Sequence, residues 1–138
     1  MATALAHIRV RAGQEASFER LAVDLYGATH REESAVRRYE YSRGTEPGTY
    51  YCLLSFDDFH GFLAHQSSDH HEAASPELGE VIESMRIEWL DPIQGASPLV
   101  PTADQPLPAG ASAAAIRHHE RFAGIGEDWW LERRASRS

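Results

Sequence analysis

The first 90 residues of the chain alternate between the two-residue period of strands and the 3.6-residue period of helices. From residue 6 to residue 11 apolar and polar side chains alternate, with apolar residues at positions 6, 8 and 10. This pattern predicts a strand with one buried face. Gly13 ends it, and the apolar residues at positions 18, 21, 22, 25 and 26 then recur at the spacing of one helical face. We therefore expect a first helix that covers a sheet.

Two further strands follow and form a hairpin. Residues 36–43 and 49–56 are rich in β-branched and aromatic residues, which favour strands. The sequence Gly-Thr-Glu-Pro-Gly between them, residues 44–48, supplies typical turn residues. The sequence therefore predicts strands two and three, joined by a short turn.

A second helical region and a fourth strand complete the pattern. Asp57 begins a short aromatic helix, and Ser75 followed by Pro76 is typical of an N-cap and first position of another helix. Residues 85–90 alternate as a fourth strand. The order β-α-β-β-α-β predicts an α+β fold of the ferredoxin-like type, with a four-stranded antiparallel sheet.

Helices on only one side leave the second face of such a sheet uncovered. Tyr51, Leu53 and Tyr41 are the large residues that we expect on that face. Such a face needs a cover, either from a second copy or from the C-terminal part of the same chain.

The chain changes character at Pro92. We expect one domain over residues 1–93 and an extension over residues 94–138, because the proline-rich stretch that follows cannot form a helix or bury much surface. From Ser112 the sequence permits a short helix. The adjacent Trp129 and Trp130 each offer about 200 Å² to bury, so we expect them docked on a partner subunit or over a pocket mouth.

Composition excludes several classes of partner. The net charge is -8, with 13 arginines, no lysine and 21 acidic residues, which argues against nucleic acid or an anionic membrane surface. No apolar run approaches the roughly 20 residues of a membrane span, and the N-terminus lacks a signal-peptide pattern. The single cysteine, Cys52, excludes an internal disulfide and fits a reducing compartment. We therefore expect a cytoplasmic protein.

The eight histidines are the main source of candidate chemistry. The segment from Asp69 to Glu72, with two histidines between two acids, superficially offers metal ligands, but neighbouring side chains on a helix point in different directions. We interpret Asp69 and Glu72 as a helix capping box, predict no metal site, and interpret His118 and His119 as a solvated helix face. No Gly-rich phosphate loop, Gly-x-Ser-x-Gly elbow or Cys-x-x-Cys motif is present.

One segment carries a resemblance to a known family. In residues 53–70 a strand that ends in an aromatic residue is followed by an acidic turn, a helix and a Ser-x-His element. Together with residues 5–15, this order resembles the antibiotic biosynthesis monooxygenase (ABM) domain family over roughly residues 4–93. The resemblance implies a dimeric α+β barrel, in which two sheets pack face to face in a homodimer.

The resemblance also implies an activity. Relatives of this kind are oxygenases that work without a metal or bound cofactor on phenols, quinols or polyketide-derived anthrones. It places His65 as the catalytic proton acceptor, since imidazole titrates in the useful range. Tyr39 matches a recurrent tyrosine of strand two and would hydrogen-bond the substrate oxygen.

The expected substrate-binding residues are mostly apolar. They are Ile8, Cys52, Leu54, Phe56, Phe62 and His70. Cys52, Phe56 and Phe62 fall where well-known oxygenases of the family carry an asparagine, a tryptophan and a tyrosine. Because these departures remove polar groups, the alternative is a non-catalytic dimeric module that binds an apolar aromatic ligand or assists a larger biosynthetic enzyme.

Overall fold

The computed structural model describes residues 1–102 and 106–122. Its elements are β1 (Ala2–Val10), α1 (Glu15–Glu32), β2 (Val36–Arg43), β3 (Thr49–Phe56), α2 (Phe59–Gln66), α3 (Asp69–Val81) and β4 (Ile82–Leu90). The four strands form one antiparallel sheet in the order β2-β3-β1-β4. The predicted α+β, ferredoxin-like arrangement is therefore confirmed. None of the described helices is long and apolar enough to cross a membrane.

The third helix begins earlier than the sequence predicts. Ser68 is its N-cap, and the Ser68 side chain accepts a hydrogen bond from the backbone N–H of His71. The expected start at Ser75 was wrong, because Pro76 lies inside the helix. The loss of one hydrogen bond at the proline is offset by the second half of α3, where Val81 is buried in the core. The capping box predicted for Asp69 and Glu72 was also wrong, because Ser68 and not Asp69 is the N-cap residue.

The core lies between the sheet and the helices. The central strand β1 turns small side chains toward the helices, and Ala6 pairs with Cys52 on one side and with Ile87 on the other. Larger aromatic residues fill part of the space above them. The ring of the fully buried Phe62 lies 5.0 Å from that of Trp89. The small residues at the centre of the sheet leave the remaining space open as a cavity.

The opposite face of the sheet carries half-buried apolar residues. Leu5 pairs with Leu53, and His7 pairs with Tyr51, whose ring lies 5.5 Å from the imidazole. Tyr41 was predicted here wrongly: it pairs with Cys52 and faces the helices. Residues two apart in a strand share a face, so Tyr41 lies on the same face as Tyr39, which was predicted to be in the site and lines the cavity.

The C-terminal residues fold back over the helices of the same chain. Residues 113–122 form a short helix, and the ring of Phe122 lies 5.3 Å from that of Phe62 on α2. The backbone carbonyl of Pro106 accepts a hydrogen bond from His60 Nε2 at 2.7 Å. Residues 106–122 thus pack on the helix layer, whereas Thr102 lies beside the sheet, where its hydroxyl accepts a hydrogen bond from the Thr3 N–H at 3.4 Å and donates one to the Leu90 carbonyl at 3.0 Å. The predicted docking of residues 129 and 130 lies outside the described residues.

At Gly61 the helix α2 packs tightly against Ala35 and Phe56, and this contact leads to a stability prediction. A Cβ atom on Gly61 would lie 2.9 Å from Ala35 Cβ and 3.2 Å from Phe56 Cβ. We expect Gly61→Ala to lower the free energy of unfolding by about 1–3 kcal/mol through overpacking, measured by urea denaturation. As a matched control, Gly27→Ala in α1, where the nearest atom is 4.0 Å away, should raise it by up to about 1 kcal/mol. A Gly61→Ala protein as stable as the parent would contradict the argument.

Candidate functional site

A cavity of about 320 Å³ lies between the sheet and the helices. This volume is at the small end of the range of about 300–1,000 Å³ for ligand pockets, and it suits a molecule of one or two rings. The sheet contributes a mainly apolar wall that includes Ile8, Cys52 and Leu54. Polar groups reach the cavity from α2, α3 and the C-terminal helix.

His65, in the last turn of α2, is the most constrained of these polar groups. Its side chain is completely buried, and Nδ1 lies 2.9 and 3.1 Å from the two carboxylate oxygens of Glu33. The Nδ1–H therefore donates to the carboxylate. His65 Nε2 is buried and has no hydrogen-bond partner among the described residues. A proton on Nε2 would be an unpaired buried donor, so this nitrogen carries a lone pair.

Neighbouring rings hold the imidazole in place. The ring centroids of Tyr39 and Phe56 lie 4.6 and 5.1 Å from that of His65. A positioned imidazole with one nitrogen fixed by a carboxylate and the other free is suited to accept a proton. The geometry thus fits the role that the resemblance implied for His65.

The Glu33 carboxylate also lies close to a second histidine, His70. His70 Nε2 lies 2.8 Å from Glu33 Oε1, and the hydroxyl groups of Ser68 and Thr29 lie 3.2 and 3.3 Å from the same nitrogen. The sequence analysis did not identify Glu33, because it is 32 residues away from His65 and outside the segment that carries the resemblance. No local motif links the two residues, and only the tertiary fold brings the residue that follows α1 next to the last turn of α2.

Glu33, His65 and His70 are also residues of the types that bind metal ions. One ligand atom from each lies within 4.8 Å of the others, and two imidazoles with one carboxylate suit zinc or non-haem iron. Their hydrogen bonds account for the observed positions, and an ion would have to replace an imidazole proton. This group differs from the one considered between Asp69 and Glu72.

Two tyrosines and the cysteine form a neutral polar group on the cavity wall. The hydroxyl oxygens of Tyr39 and Tyr41 are 2.7 Å apart. Burial raises the pKa of both phenols, and it raises the pKa of the Cys52 thiol to about 12. All three groups stay protonated at neutral pH. Tyr39 is therefore suited to donate a hydrogen bond and Cys52 is not a nucleophile.

Two more histidines line the cavity. Burial, followed by the charges of His65 and His118, lowers the pKa of His71 to about 3, so His71 is neutral. His118 is only 8 % exposed, and its Nε2 lies 2.7 Å from Glu72 Oε1. The interpretation of His118 as part of a solvated helix face was wrong, because the C-terminal helix packs onto α3. The adjacent His119 is partly exposed and its ring contacts Phe59.

The structure brings together most of the predicted site residues. The cavity is lined by Ile8, Tyr39, Cys52, Leu54 and His65. Phe56 and Phe62 are fully buried next to it, with ring centroids 6.0 Å apart, and His70 turns toward Glu33. The binding and catalytic roles of all eight residues remain predictions.

The low pKa of His71 predicts a pH-dependent stability. Between about pH 6.5 and pH 3 the unfolded chain binds a proton at this histidine and the folded chain does not. The folded state therefore loses stability as the pH falls, by at most about 1.4 kcal/mol per pH unit. Urea unfolding between pH 7 and pH 4 should show a shallower decline for His71→Gln than for the parent. His119→Gln should decline like the parent, and parallel curves for all three proteins would contradict the prediction.

Comparisons with known proteins agree with this architecture. The profile of the antibiotic biosynthesis monooxygenase family matches residues 1–77. A candidate antibiotic biosynthesis monooxygenase from Caulobacter crescentus is 25% identical with a TM-score of 0.64, over 67% of this chain and 90% of that one. Comparison with curated proteins found no significant match.

Two more distant structures share the fold. Rv0793 from Mycobacterium tuberculosis is 18% identical with a TM-score of 0.63, over 70% of this chain and 98% of that one. PA3566 from Pseudomonas aeruginosa is 20% identical with a TM-score of 0.61, over 67% and 93% of the two chains. With the family profile covering more than half of its length, the chain belongs to the antibiotic biosynthesis monooxygenase family.

Proposed function

We propose that this protein is a cofactor-independent monooxygenase that binds a flat phenolic, quinol or polyketide-type aromatic molecule in the cavity and uses His65 Nε2 as proton acceptor. One observation carries the proposal. A buried imidazole nitrogen of a cavity-lining residue has no partner among the described residues, while Glu33 fixes the other nitrogen of the same ring.

In the proposed reaction the protein has to accept one proton from the substrate. A substrate hydroxyl gives its proton to His65 Nε2, and the Glu33 carboxylate stabilises the imidazolium that forms. The deprotonated aromatic ring is electron-rich and passes an electron to O₂. For a ring CH₂ group the overall change is CH₂ + O₂ → C=O + H₂O, in which the substrate supplies all the electrons.

The other residues bind and orient the ring. The apolar wall of Ile8 and Leu54 removes the ring from water, which favours binding by about 25 cal/mol per Å² of apolar surface. The protonated Tyr39 hydroxyl is suited to donate a hydrogen bond to the oxygen that develops negative charge.

A second candidate function is supported by the apolar character of the wall. Cys52, Phe56 and Phe62 replace the polar groups expected in an oxygenase of this family. A non-catalytic module that binds an apolar aromatic ligand, or that assists a biosynthetic enzyme, would need the cavity without the proton transfer. The two candidates differ in their dependence on His65.

A homodimer is part of the proposal. Leu5, Tyr51 and Leu53 lie half-buried on the sheet face away from the helices, and residues 106–122 of the extension pack on the helix layer. Pairing two such faces would bury apolar area on both subunits. We also infer a cytoplasmic location, on the single unpaired cysteine.

A variant of His65 tests the proposed activity. His65→Asn retains an N–H near Glu33 but lacks the acceptor nitrogen that lines the cavity. General-base assistance is typically worth about 10²–10⁴-fold, so we expect kcat for O₂ uptake with a panel of anthrones and hydroquinones to fall by that factor. The assay contains a chelator and no added flavin, and Kd for the substrate should rise by no more than the roughly three- to tenfold that one hydrogen bond is worth.

The matched control is His119→Gln, which should keep the parental rate. If the parent protein binds a compound but consumes O₂ no faster than the uncatalysed reaction for the whole panel, the binding module is the better description. A fully active His65→Asn protein would show that the proton acceptor is another group.

Light scattering after size exclusion tests the dimer. The parent should have twice the mass of one chain at micromolar concentration. Leu53→Arg places a charge on the half-buried sheet face and should shift the protein to monomers, because an unpaired buried charge is costly. Val23→Arg, at a residue of α1 that is 69% exposed, should remain dimeric. A monomeric parent would refute the dimer.

A further inference from the structure

The cavity contains a second carboxylate–imidazole pair, supplied in part by the C-terminal helix. His118 Nε2 lies 2.7 Å from Glu72 Oε1, and the guanidinium of Arg117 lies 2.9 Å from the same oxygen. The hydrogen bond from His118 is the largest cause that lowers the pKa of Glu72. Glu72 is therefore a carboxylate, and the His118 Nε2–H donates to it.

The remaining nitrogen of His118 is in the same situation as that of His65. His118 Nδ1 is buried and has no hydrogen-bond partner among the described residues. Since Nε2 carries the proton, Nδ1 carries a lone pair and is an acceptor. His118 and His65 line the same cavity. The residues that line the cavity thus include two imidazoles, each with one nitrogen held by a carboxylate and the other nitrogen without a partner among the described residues.

None of the other described groups around the cavity hydrogen-bonds to these two nitrogens. His71 is neutral. The guanidinium of Arg121 lies over the ring of Phe122, 5.1 Å from its centroid. Tyr39 and Tyr41 hydrogen-bond to each other. A ligand with two hydroxyl groups has one donor for each of the two nitrogens.

We propose that residues 112–122 complete the ligand site and that His118 Nδ1 accepts a hydrogen bond from a second hydroxyl group of a dihydroxy aromatic ligand. This inference rests on the proposed function, in which His65 Nε2 meets the first hydroxyl. A ligand with one hydroxyl group leaves Nδ1 buried and unpaired, so the site discriminates against it. The family profile ends at residue 77, so this selectivity comes from the chain's own extension.

The test compares a ligand with two hydroxyl groups to a ligand with one. The probes are 2,6-dihydroxynaphthalene and 2-naphthol, titrated without oxygen so that only binding is measured. One hydrogen bond is worth about three- to tenfold in affinity. We expect the parent to prefer the diol by that factor beyond the statistical factor of about two for its two equivalent ends.

Two variants of His118 should remove the preference. His118→Gln keeps an N–H that can reach Glu72 but lacks the Nδ1 acceptor, and His118→Phe keeps a planar ring with neither nitrogen. Both should bind 2-naphthol like the parent and lose the preference for the diol. His119→Gln, the neighbouring residue on the same helix, should retain it. Circular dichroism checks that each variant is folded.

The outcomes separate this inference from the proposed function. If the parent binds both probes with equal affinity, or if both His118 variants retain the preference, the second hydroxyl site is refuted and the role of His65 is unaffected. If the parent binds neither probe, the inference fails together with the proposed ligand class. Loss of the diol preference in the His118 variants alone supports it.

Discussion

The Glu33 carboxylate is the interaction on which the site depends. It lies at the C-terminal end of α1, accepts a hydrogen bond from His65 on α2, and lies 2.8 Å from Nε2 of His70 on α3. Three helices are thereby tied together at one partly buried group, where hydrogen bonds to a charged acceptor are stronger than in water. The same contact selects the tautomer of His65. Without it, the proton of His65 would be free to move to the nitrogen that lines the cavity, and the acceptor would be lost.

Much of the fold could be predicted from the sequence because its signals are local. The period-two strands, the hairpin turn and the helical face of α1 each depend on residues close together in the chain. The start of α3 was predicted at Ser75, but the N-cap is Ser68. Ser68 and the Ser75–Pro76 pair are both good start signals, and tertiary packing decides between them. The face of Tyr41 was within reach of the sequence, because Tyr41 is two residues after Tyr39 on the same strand and must share its face.

Only part of the candidate site could be predicted from the sequence. His65 was identified because it lies in the segment that resembles the family. Glu33 and Glu72 were not assigned to the site, because their partners are 32 and 46 residues away in sequence. The role of His118 depends on how the extension packs. Carboxylates that fix imidazoles across such distances are visible only when the helices are placed against one another.

Three histidines, His65, His71 and His118, line the cavity, and they differ in the groups that surround them. The rings of His65 and His71 are 4.9 Å apart, so a charge on one opposes a charge on the other. Burial and the neighbouring imidazoles keep the pKa of His71 at about 3, and it does not accept a proton at neutral pH. His65 and His118 each have one nitrogen held by a carboxylate, that of Glu33 and that of Glu72. His71 has no such partner in the hydrogen bonds of the described residues, so the two roles that we propose, proton acceptor and second hydroxyl site, fall to the two histidines that carboxylates fix in place.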